Sequence, residues 1–171
     1  MNRQITCTKR AVLLAAVLSA GVLEAGAAEY GLGVAYDNGA TVLLPIRTDS
    51  LMIEPEFFLN NSSSSNSRFK TFGVGSGAYV RRNLGPLFEG YLGGRLVFLS
   101  SQSSSGSGDS KTRMFMISPT FGIQHFLSKQ FSLGLDASLE YRHGEQTTPG
   151  SPDQNFHSIG TATRILLRAY F

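Results

Sequence analysis

The stretch Phe131-Ser-Leu-Gly-Leu-Asp-Ala-Ser-Leu-Glu-Tyr141 alternates between two kinds of side chain. Its odd-numbered positions are all apolar or aromatic, and its even-numbered positions, from Ser132 to Glu140, are all polar or small. A period of two is the signature of a β-strand, because successive side chains point to opposite faces of a sheet. The stretch therefore predicts a strand with one apolar face and one polar face.

The same alternation predicts seven more strands. Together with Phe131–His143, their ranges are about Tyr30–Tyr36, Thr41–Thr48, Leu51–Asn60, Arg68–Arg82, Leu87–Ser100, Thr112–Leu127 and Phe156–Phe171. Short turns such as Asp49-Ser50 alternate with longer links rich in Ser and Gly, which we expect to be loops. These predicted loops cover Asn61–Ser67, Ser101–Lys111 and Gly144–Asn155. Pro45, Pro55 and Pro119 fall inside predicted strands, so we expect bulges or shifted strand ends there.

Glycine indicates which face of each strand points inward. Gly73, Gly75 and Gly77 share the polar face of one predicted strand with Arg81. Small residues beside long charged ones suit a narrow, packed lumen, whereas a water-facing surface has no need for glycine, which weakens strands. We therefore place the polar face inside and the apolar face against lipid. The predicted fold is all-β: an eight-stranded antiparallel up-and-down transmembrane β-barrel.

In this arrangement the lumen holds charges of both signs. An unpaired charge in a cramped interior is costly, so we expect these side chains to form a network of salt bridges that closes the barrel. The residues expected near its middle are Glu54, Glu56, Glu89, Arg95, Asp136, Glu140 and Arg164.

The first 28 residues have the order of a secretory signal peptide. A basic start is followed by the uncharged apolar run Ala11–Leu23 and by the small residues Ala25–Ala28. We expect cleavage after Ala27 or Ala28, which leaves residues 29–171 as one barrel domain. The alternative is an uncleaved anchor helix, but the apolar run is shorter than the ~20 residues that a transmembrane helix needs.

Charge and cysteine content exclude other classes of function. The formal charge of +3 falls to +1 when Arg3, Lys9, Arg10 and Glu24 leave with the signal, so the basic pI gives no argument for nucleic-acid binding. The single cysteine, Cys7, lies in the signal as well. We find no paired cysteines for zinc, no phosphate-binding loop and no acidic calcium loop, and therefore expect no cofactor and no metal.

The C-terminal segment Arg164-Ile-Leu-Leu-Arg-Ala-Tyr-Phe171 ends in phenylalanine and places Ile165, Leu167, Ala169 and Phe171 on one face. It resembles the terminal strand signal of bacterial outer-membrane proteins. With the signal peptide and the eight-strand spacing, residues 29–171 resemble the small outer-membrane β-barrel family typified by the OmpA membrane domain and OmpX. The resemblance implies a porin-like barrel in the outer membrane of a Gram-negative cell envelope. It also implies recognition by the barrel assembly machinery, for which the matching residues are Ile165, Leu167, Tyr170 and Phe171.

The leading functional hypothesis is a non-enzymatic barrel, monomeric and surrounded by outer-membrane lipid and lipopolysaccharide. Its role would be structural or surface-binding, in envelope integrity, adhesion or lipopolysaccharide contact. Basic residues near the outer rim are candidates for binding lipopolysaccharide phosphates, and the alternative is ordinary charge at the base of loops. These rim candidates are Arg68, Lys70, Lys111, Arg113 and Arg142.

Three other classes stay open: a lipid-modifying barrel enzyme, a small-conductance pore and a soluble lipocalin-like periplasmic carrier. Nucleophilic catalysis needs a base within hydrogen-bond reach of the nucleophile, and none of His125, His143 and His157 has a serine two positions away along its strand. We therefore expect no catalytic residues. Eight strands leave an interior just wide enough for side chains to fill, which excludes a large channel, and a lipocalin would need the apolar face inside.

Overall fold

The computed structural model describes residues 28–37, 39–64, 67–105 and 108–171. Apart from Ala28, the predicted signal peptide lies outside the described residues. The strands are β1 (Glu29–Tyr36), β2 (Ala40–Leu43), β3 (Ile46–Arg47), β4 (Leu51–Ser63), β5 (Ser67–Asn83), β6 (Phe88–Ser105), β7 (Gly108–Phe126), β8 (Phe131–Thr147) and β9 (Gln154–Tyr170). Across the described ranges, no helix is long and apolar enough to cross a membrane.

The strands form a closed antiparallel ring. From β4 to β9 each strand pairs with the next, and β1 closes the ring by pairing with β9 from Gly31↔Tyr170 to Tyr36↔Ile165. The segments β2 and β3 both lie between β1 and β4, so together they occupy one position in the wall. The predicted eight-stranded up-and-down barrel is therefore confirmed.

Two prolines meet at the break between β2 and β3. Proline has no N–H to donate to a ladder, and here Pro45 interrupts the predicted second strand. Its carbonyl still accepts a hydrogen bond from the Gly31 N–H at 2.8 Å, and the Leu44 N–H donates to the carbonyl of Pro55 at 2.9 Å. The register is the same on both sides of the break, since Leu43 lies opposite Glu56 and Ile46 opposite Ile53, so the predicted second strand is split here without the expected bulge. The ladder between β7 and β8 is likewise interrupted without a bulge around Pro119, between Ile117↔Tyr141 and Thr120↔Ser138.

The barrel has two unlike ends. The inner end carries Glu29, Phe171 and the turns over residues 48–50, 84–87 and 127–130, and the outer end carries the other hairpins. In outer-membrane barrels the short-turn end faces the periplasm. The strands run much farther at the outer end than the sequence predicts, since β6 and β7 remain paired up to Ser105↔Gly108.

The prediction of loops over Asn61–Ser67 and Ser101–Lys111 was wrong, because these segments are mostly strand. Of the predicted loop Gly144–Asn155, only residues 148–153 lie outside the strands. Backbone pairing does not require an apolar face. Where both faces of a hairpin are hydrated, side chains no longer alternate in polarity, and the pattern that indicates a strand disappears.

The outside of the wall is apolar and its inside is polar. On β8, Leu135 and Leu139 are about half exposed, whereas Asp136 and Glu140 on the opposite face are each 2% exposed. A continuous band of exposed leucine, isoleucine, valine and phenylalanine this large is strongly unfavourable in water. A bilayer covers it, and the soluble lipocalin-like alternative, which needs an apolar interior, is excluded. We call this band the apolar belt.

Glycine makes room for the contents of the lumen. The rings of Tyr79 and Tyr91 meet edge to face with centroids 5.2 Å apart. A Cβ at Gly77 would collide with the Tyr79 ring, and a Cβ at Gly122 would collide with the Tyr91 ring. At Gly93 the obstruction is backbone, because a Cβ there would overlap the Ala78 carbonyl. Gly94, one residue further along, has only ordinary contact distance to its nearest neighbour.

These two adjacent glycines predict a matched pair of variants. Gly93→Ala should destabilise the barrel by about 1–3 kcal/mol, because the new methyl group overpacks against a neighbouring strand. Gly94→Ala should leave stability nearly unchanged. The measurement is the urea midpoint of the folded band, which migrates differently from the boiled band on a detergent gel. Equal midpoints for the two variants would contradict the packing described for this wall.

Candidate functional site

The candidate site is the ionic lumen, built from inward-facing positions of four strands. Strands β8 and β9 are neighbours, and their register sets Asp136 directly opposite Arg164. Strand β4 faces them across the interior, which an eight-stranded ring keeps narrow enough for long side chains to span. The charged residues at these inward positions are Glu54, Glu56, Arg95, Asp136, Glu140, Arg164 and Arg168.

Arg164 is the centre of the network. Its Nε and Nη2 donate to the two carboxylate oxygens of Asp136 at 3.0 and 2.7 Å, a bidentate pair, and its Nη1 donates to Glu56 Oε2 at 2.9 Å. All three side chains are buried. Bidentate charged hydrogen bonds of this kind are the strong ones, and here they join β8 and β9 to β4 across the lumen.

Arg168 forms a second bridge closer to the inner end. Its Nε and Nη2 donate to the two oxygens of Glu54 at 2.6 and 3.0 Å, and its Nη1 donates to Gln124 Oε1 at 3.3 Å. Its guanidinium carbon also lies 5.3 Å from the centroid of the Tyr91 ring. The network predicted from the sequence did not include Arg168. The signal was present, since Arg168 lies four residues after Arg164 on the same face.

Glu89 does not bind the central arginines Arg95 and Arg164, with which it was predicted to form one network. It accepts from Arg81 Nε at 2.8 Å and from Gln124 Nε2 at 2.6 Å, near the inner end. Arg81 also donates to the carbonyl of Thr48, which joins this pair to the turn after β3. Arg81 and Gln124 were not predicted as members of the network. Gln124 is uncharged, so a search for charges could not find it.

At the outer side of the network the pairing is looser. Arg95 Nε lies 3.5 Å from Glu56 Oε1, and its Nη2 lies 3.7 Å from Glu140 Oε1. Its Nε and Nη1 have no hydrogen-bond partner among the described residues, although the side chain is 5% exposed. Glu140 lies closer to Arg142 than to Arg95 and forms an ion pair with it. Arg142 also lines a cavity of about 260 Å³ in the outer half of the lumen.

The predicted rim residues divide into two groups. Arg68, Lys70, Lys111 and Arg113 lie on β5 and β7 at outward positions, in line with the exposed rings of Phe72 and Phe115. We call these four residues the basic row. Arg142 points into the lumen instead, where it pairs with Glu140.

The C-terminal strand presents residues to both sides of the wall. Ile165 and Leu167 are exposed on the outside, and the Phe171 N–H donates to the carbonyl of Tyr30 at 2.9 Å. Tyr170 faces inward and is buried, and the guanidinium carbon of Arg47 lies 3.9 Å from the centroid of its ring. The residues that the terminal-signal resemblance singles out therefore do not share one face.

The three histidines lie in two places, with His125 near the inner end and His143 and His157 near the outer end. The ring of His125 lies against Phe88, with centroids 4.5 Å apart, and its Nδ1 has no hydrogen-bond partner among the described residues. His143 and His157 are exposed and face one another in register on β8 and β9. Within the described part of the chain, no group of three or more His, Cys, Asp or Glu could hold a metal ion.

A closed eight-stranded ring with an ionic interior and an apolar exterior defines a class, the small bacterial outer-membrane β-barrels. No protein-family model matches the chain, and no curated protein matches it significantly in sequence. Solved structures do match it. A major outer membrane protein from Thermus thermophilus superposes with a TM-score of 0.50 at 9% identity, over 85% of this chain and all of that one (100%).

Two further solved structures are similar at a lower score. Neisserial surface protein A matches with a TM-score of 0.49 at 16% identity, over 84% of this chain and 94% of that one. The attachment invasion locus protein Ail of Yersinia pestis matches with a TM-score of 0.44 at 11% identity, over 84% and 93%. At such identities a structural likeness shows the fold alone.

The network predicts a large and specific loss of stability. Arg164→Met removes the only partner that binds Asp136 bidentately within the described structure, and leaves two carboxylates buried together. The free energy of unfolding should fall by about 3–5 kcal/mol, the usual cost of breaking a buried pair from one side. The control is Arg82→Met on the exposed face of β5, which should change it by about 0.5 kcal/mol or less. The measurement is urea titration followed by circular dichroism. If Arg164→Met and Arg82→Met lower the free energy of unfolding by similar amounts, the lumen network contributes little to stability.

Proposed function

We propose that this protein is a non-enzymatic outer-membrane barrel with a closed lumen and a structural and surface-binding role. Residues 1–28 serve as the export signal, and residues 29–171 form a monomeric barrel in the bacterial outer membrane. The observation that carries the proposal is the bridge from Arg164 to Asp136 and Glu56, which spans the lumen between opposite walls.

Support for a closed lumen comes from the order of side chains along the barrel axis. The bridge centred on Arg164 is followed toward the inner end by the Arg168–Glu54 pair and then by the Arg81–Glu89 pair. Large buried side chains fill the space between these pairs; they include Tyr79, Tyr91, Gln124 and Leu166. Ion pairs and large buried side chains therefore follow one another along the inner half of the lumen.

Support for a non-enzymatic role comes from the absence of an activated nucleophile among the described residues. Nucleophilic catalysis requires a base that a further group orients against the nucleophile. His143 and His157 face one another rather than a hydroxyl group, and His125 packs on an aromatic ring. The acidic residues of the described lumen are held by arginines, so they are structural counter-ions rather than free general bases.

The closed lumen predicts an absence of steady conductance. In planar bilayers the wild-type barrel should give no stepwise current. The triple variant Arg81→Ala/Arg164→Ala/Arg168→Ala, which removes the arginine from each ion pair along the axis, should open a small cation-selective path past the remaining carboxylates. Arg82→Ala is the matched control and should stay silent. The folded fraction of each protein is measured first by its heat-shifted band. Stepwise current through the wild-type protein would refute the closed lumen.

The basic row supports a specific surface contact. In the register of the sheet, Lys70 lies opposite Gln102, which in turn lies opposite Lys111, so the two lysines are separated by about two strand spacings of 4.7–4.9 Å each. Phe72 and Phe115 of the apolar belt lie just below on the same strands. A basic surface directly above a lipid-covered belt is placed to bind lipopolysaccharide phosphates. Arg113 lies opposite Glu145, whose negative charge weakens its attraction for a phosphate.

The outer surface of β9 supports a route of assembly. Ile165, Leu167 and Phe171 present apolar side chains outward along the strand that closes the ring with β1. We propose that this strand is the segment recognised by the barrel assembly machinery. Tyr170 contributes differently, because its side chain anchors the inner end of the lumen.

Removing the lysines of the basic row should weaken lipopolysaccharide binding. Lys70→Gln/Lys111→Gln should lower the affinity of the barrel in nanodiscs for lipopolysaccharide by roughly thirtyfold, at about 1 kcal/mol for each of the two basic residues near a charged surface. The matched control, Arg82→Gln/Lys129→Gln, removes two charges near the inner end and should bind as the wild type does. If both pairs weaken binding equally, the contact is general electrostatics and the basic row has no special role.

A further inference from the structure

The two halves of the lumen differ in chemistry. The inner half is filled by ion pairs and tyrosine rings, whereas the outer half contains the cavity of about 260 Å³ described above, which we call the outer cavity. Its floor is made by the charged side chains around Arg95 and Glu140. Its wall is apolar and includes Phe58, Val97, Leu99, Met114 and Met116. Water cannot satisfy such a wall, so the outer cavity suits a ligand with an apolar portion.

The side of the barrel is open beside this cavity. Pairing of β2 with β4 ends at Thr41↔Phe58, and pairing of β1 with β9 ends at Tyr36↔Ile165. Beyond these points β4 continues to Ser63 and β9 begins at Gln154, and each is paired on one side only within the described sheet. A notch therefore separates β4 from β9 above the hairpin between β1 and β2.

The notch faces both the outer cavity and the membrane. Asp37 and Thr41, at the tip of the hairpin that forms its lower border, line the cavity. On the outer surface, Leu59 of β4 and Ile159 of β9 flank the notch and are 75% and 72% exposed. Exposed apolar side chains at this height indicate that lipid still surrounds the barrel there, so an apolar chain can pass between the bilayer and the lumen.

The charges on the floor select the head group. Glu56 is held by Arg164 at 2.9 Å and Glu140 is held by Arg142, so both carboxylates have close cationic partners. Arg95 is the group left unsatisfied, since its nearest carboxylate oxygens lie at 3.5 and 3.7 Å and two of its nitrogens have no hydrogen-bond partner among the described residues. A buried cation in this state favours an anionic acceptor.

We propose that the outer cavity binds a medium-chain carboxylic acid, with the carboxylate at Arg95, the chain along the apolar wall and the notch as its route from the outer leaflet. The outer cavity, at about 260 Å³, is slightly smaller than the ~300–1,000 Å³ of drug-sized ligand sites, which suits a chain of roughly eight carbons. This goes beyond the structural role proposed above and shares with it only the ionic floor.

Three methionines provide reporters for the test. Met114 and Met116 line the outer cavity, whereas Met52 is fully buried in the inner half against Tyr79 and Tyr91. Full-length protein labelled with ¹³C at the methionine methyl groups is exported, purified and placed in phosphatidylcholine nanodiscs. Octanoate should shift the Met114 and Met116 resonances saturably and leave Met52 unchanged. Acetate, which has no chain, should shift none of them.

The head group and the site are tested separately. Octyltrimethylammonium, with the same chain and the opposite charge, should bind roughly tenfold more weakly than octanoate, and Arg95→Gln should abolish that difference. Arg82→Gln is the matched control and should preserve it. Val97→Phe fills the cavity and should remove the octanoate response without touching Arg95, so the proposal stays testable if the arginine variant does not fold.

The outcomes that would overturn the proposal are specific. They are an absence of saturable shifts at Met114 and Met116, shifts of equal size at Met52, or equal affinity for octanoate and octyltrimethylammonium in the wild-type barrel. The result does not depend on conductance. A barrel that conducts ions and binds octanoate would refute the closed lumen and support the outer cavity. A barrel that neither conducts ions nor binds octanoate would refute the outer cavity alone.

Discussion

The constraint on which the rest of this structure depends is backbone hydrogen bonding in a medium without water. In lipid, an unpaired N–H or carbonyl has no solvent partner, so strands can cross only as a closed ring. Pairing of β1 with β9 closes that ring, and the Phe171 N–H extends it by donating to Tyr30. Pro45 and Pro55, which would each open the ring, lie at the same break, where the Leu44 N–H bonds to the Pro55 carbonyl.

Closure then determines the chemistry of the two faces. A ring of eight strands has an interior too narrow for bulk water, so the polar face of every strand must be satisfied by side chains from the opposite wall. Arginine suits this task because its planar guanidinium can bind two carboxylates at once, as Arg164 does with Asp136 and Glu56. The glycines that line the lumen leave space for these long side chains and for the tyrosine rings.

The outer end follows a different rule, because the constraint of lipid ends there. Hairpins such as β6–β7 extend past the apolar belt with serine on both faces, and the wall need not remain closed. Within the described sheet, the short hairpin between β1 and β2 leaves β4 and β9 paired on one side only above it. The same feature that makes the top of the barrel irregular also gives the outer cavity its side entrance.

The sequence by itself determined the strands, their two faces and the class of fold. In a strand the side on which a residue lies depends only on whether its number is odd or even, so the inward position of Glu54, Arg95 or Arg164 is local information. Tertiary structure decided the partners. Arg168 binds Glu54, which is 114 positions away, and Glu89 binds Arg81 instead of the central arginines, because register and stagger around the ring set these distances. Tertiary structure also decided where the strands end, because apolar and polar side chains stop alternating once both faces of a hairpin meet water.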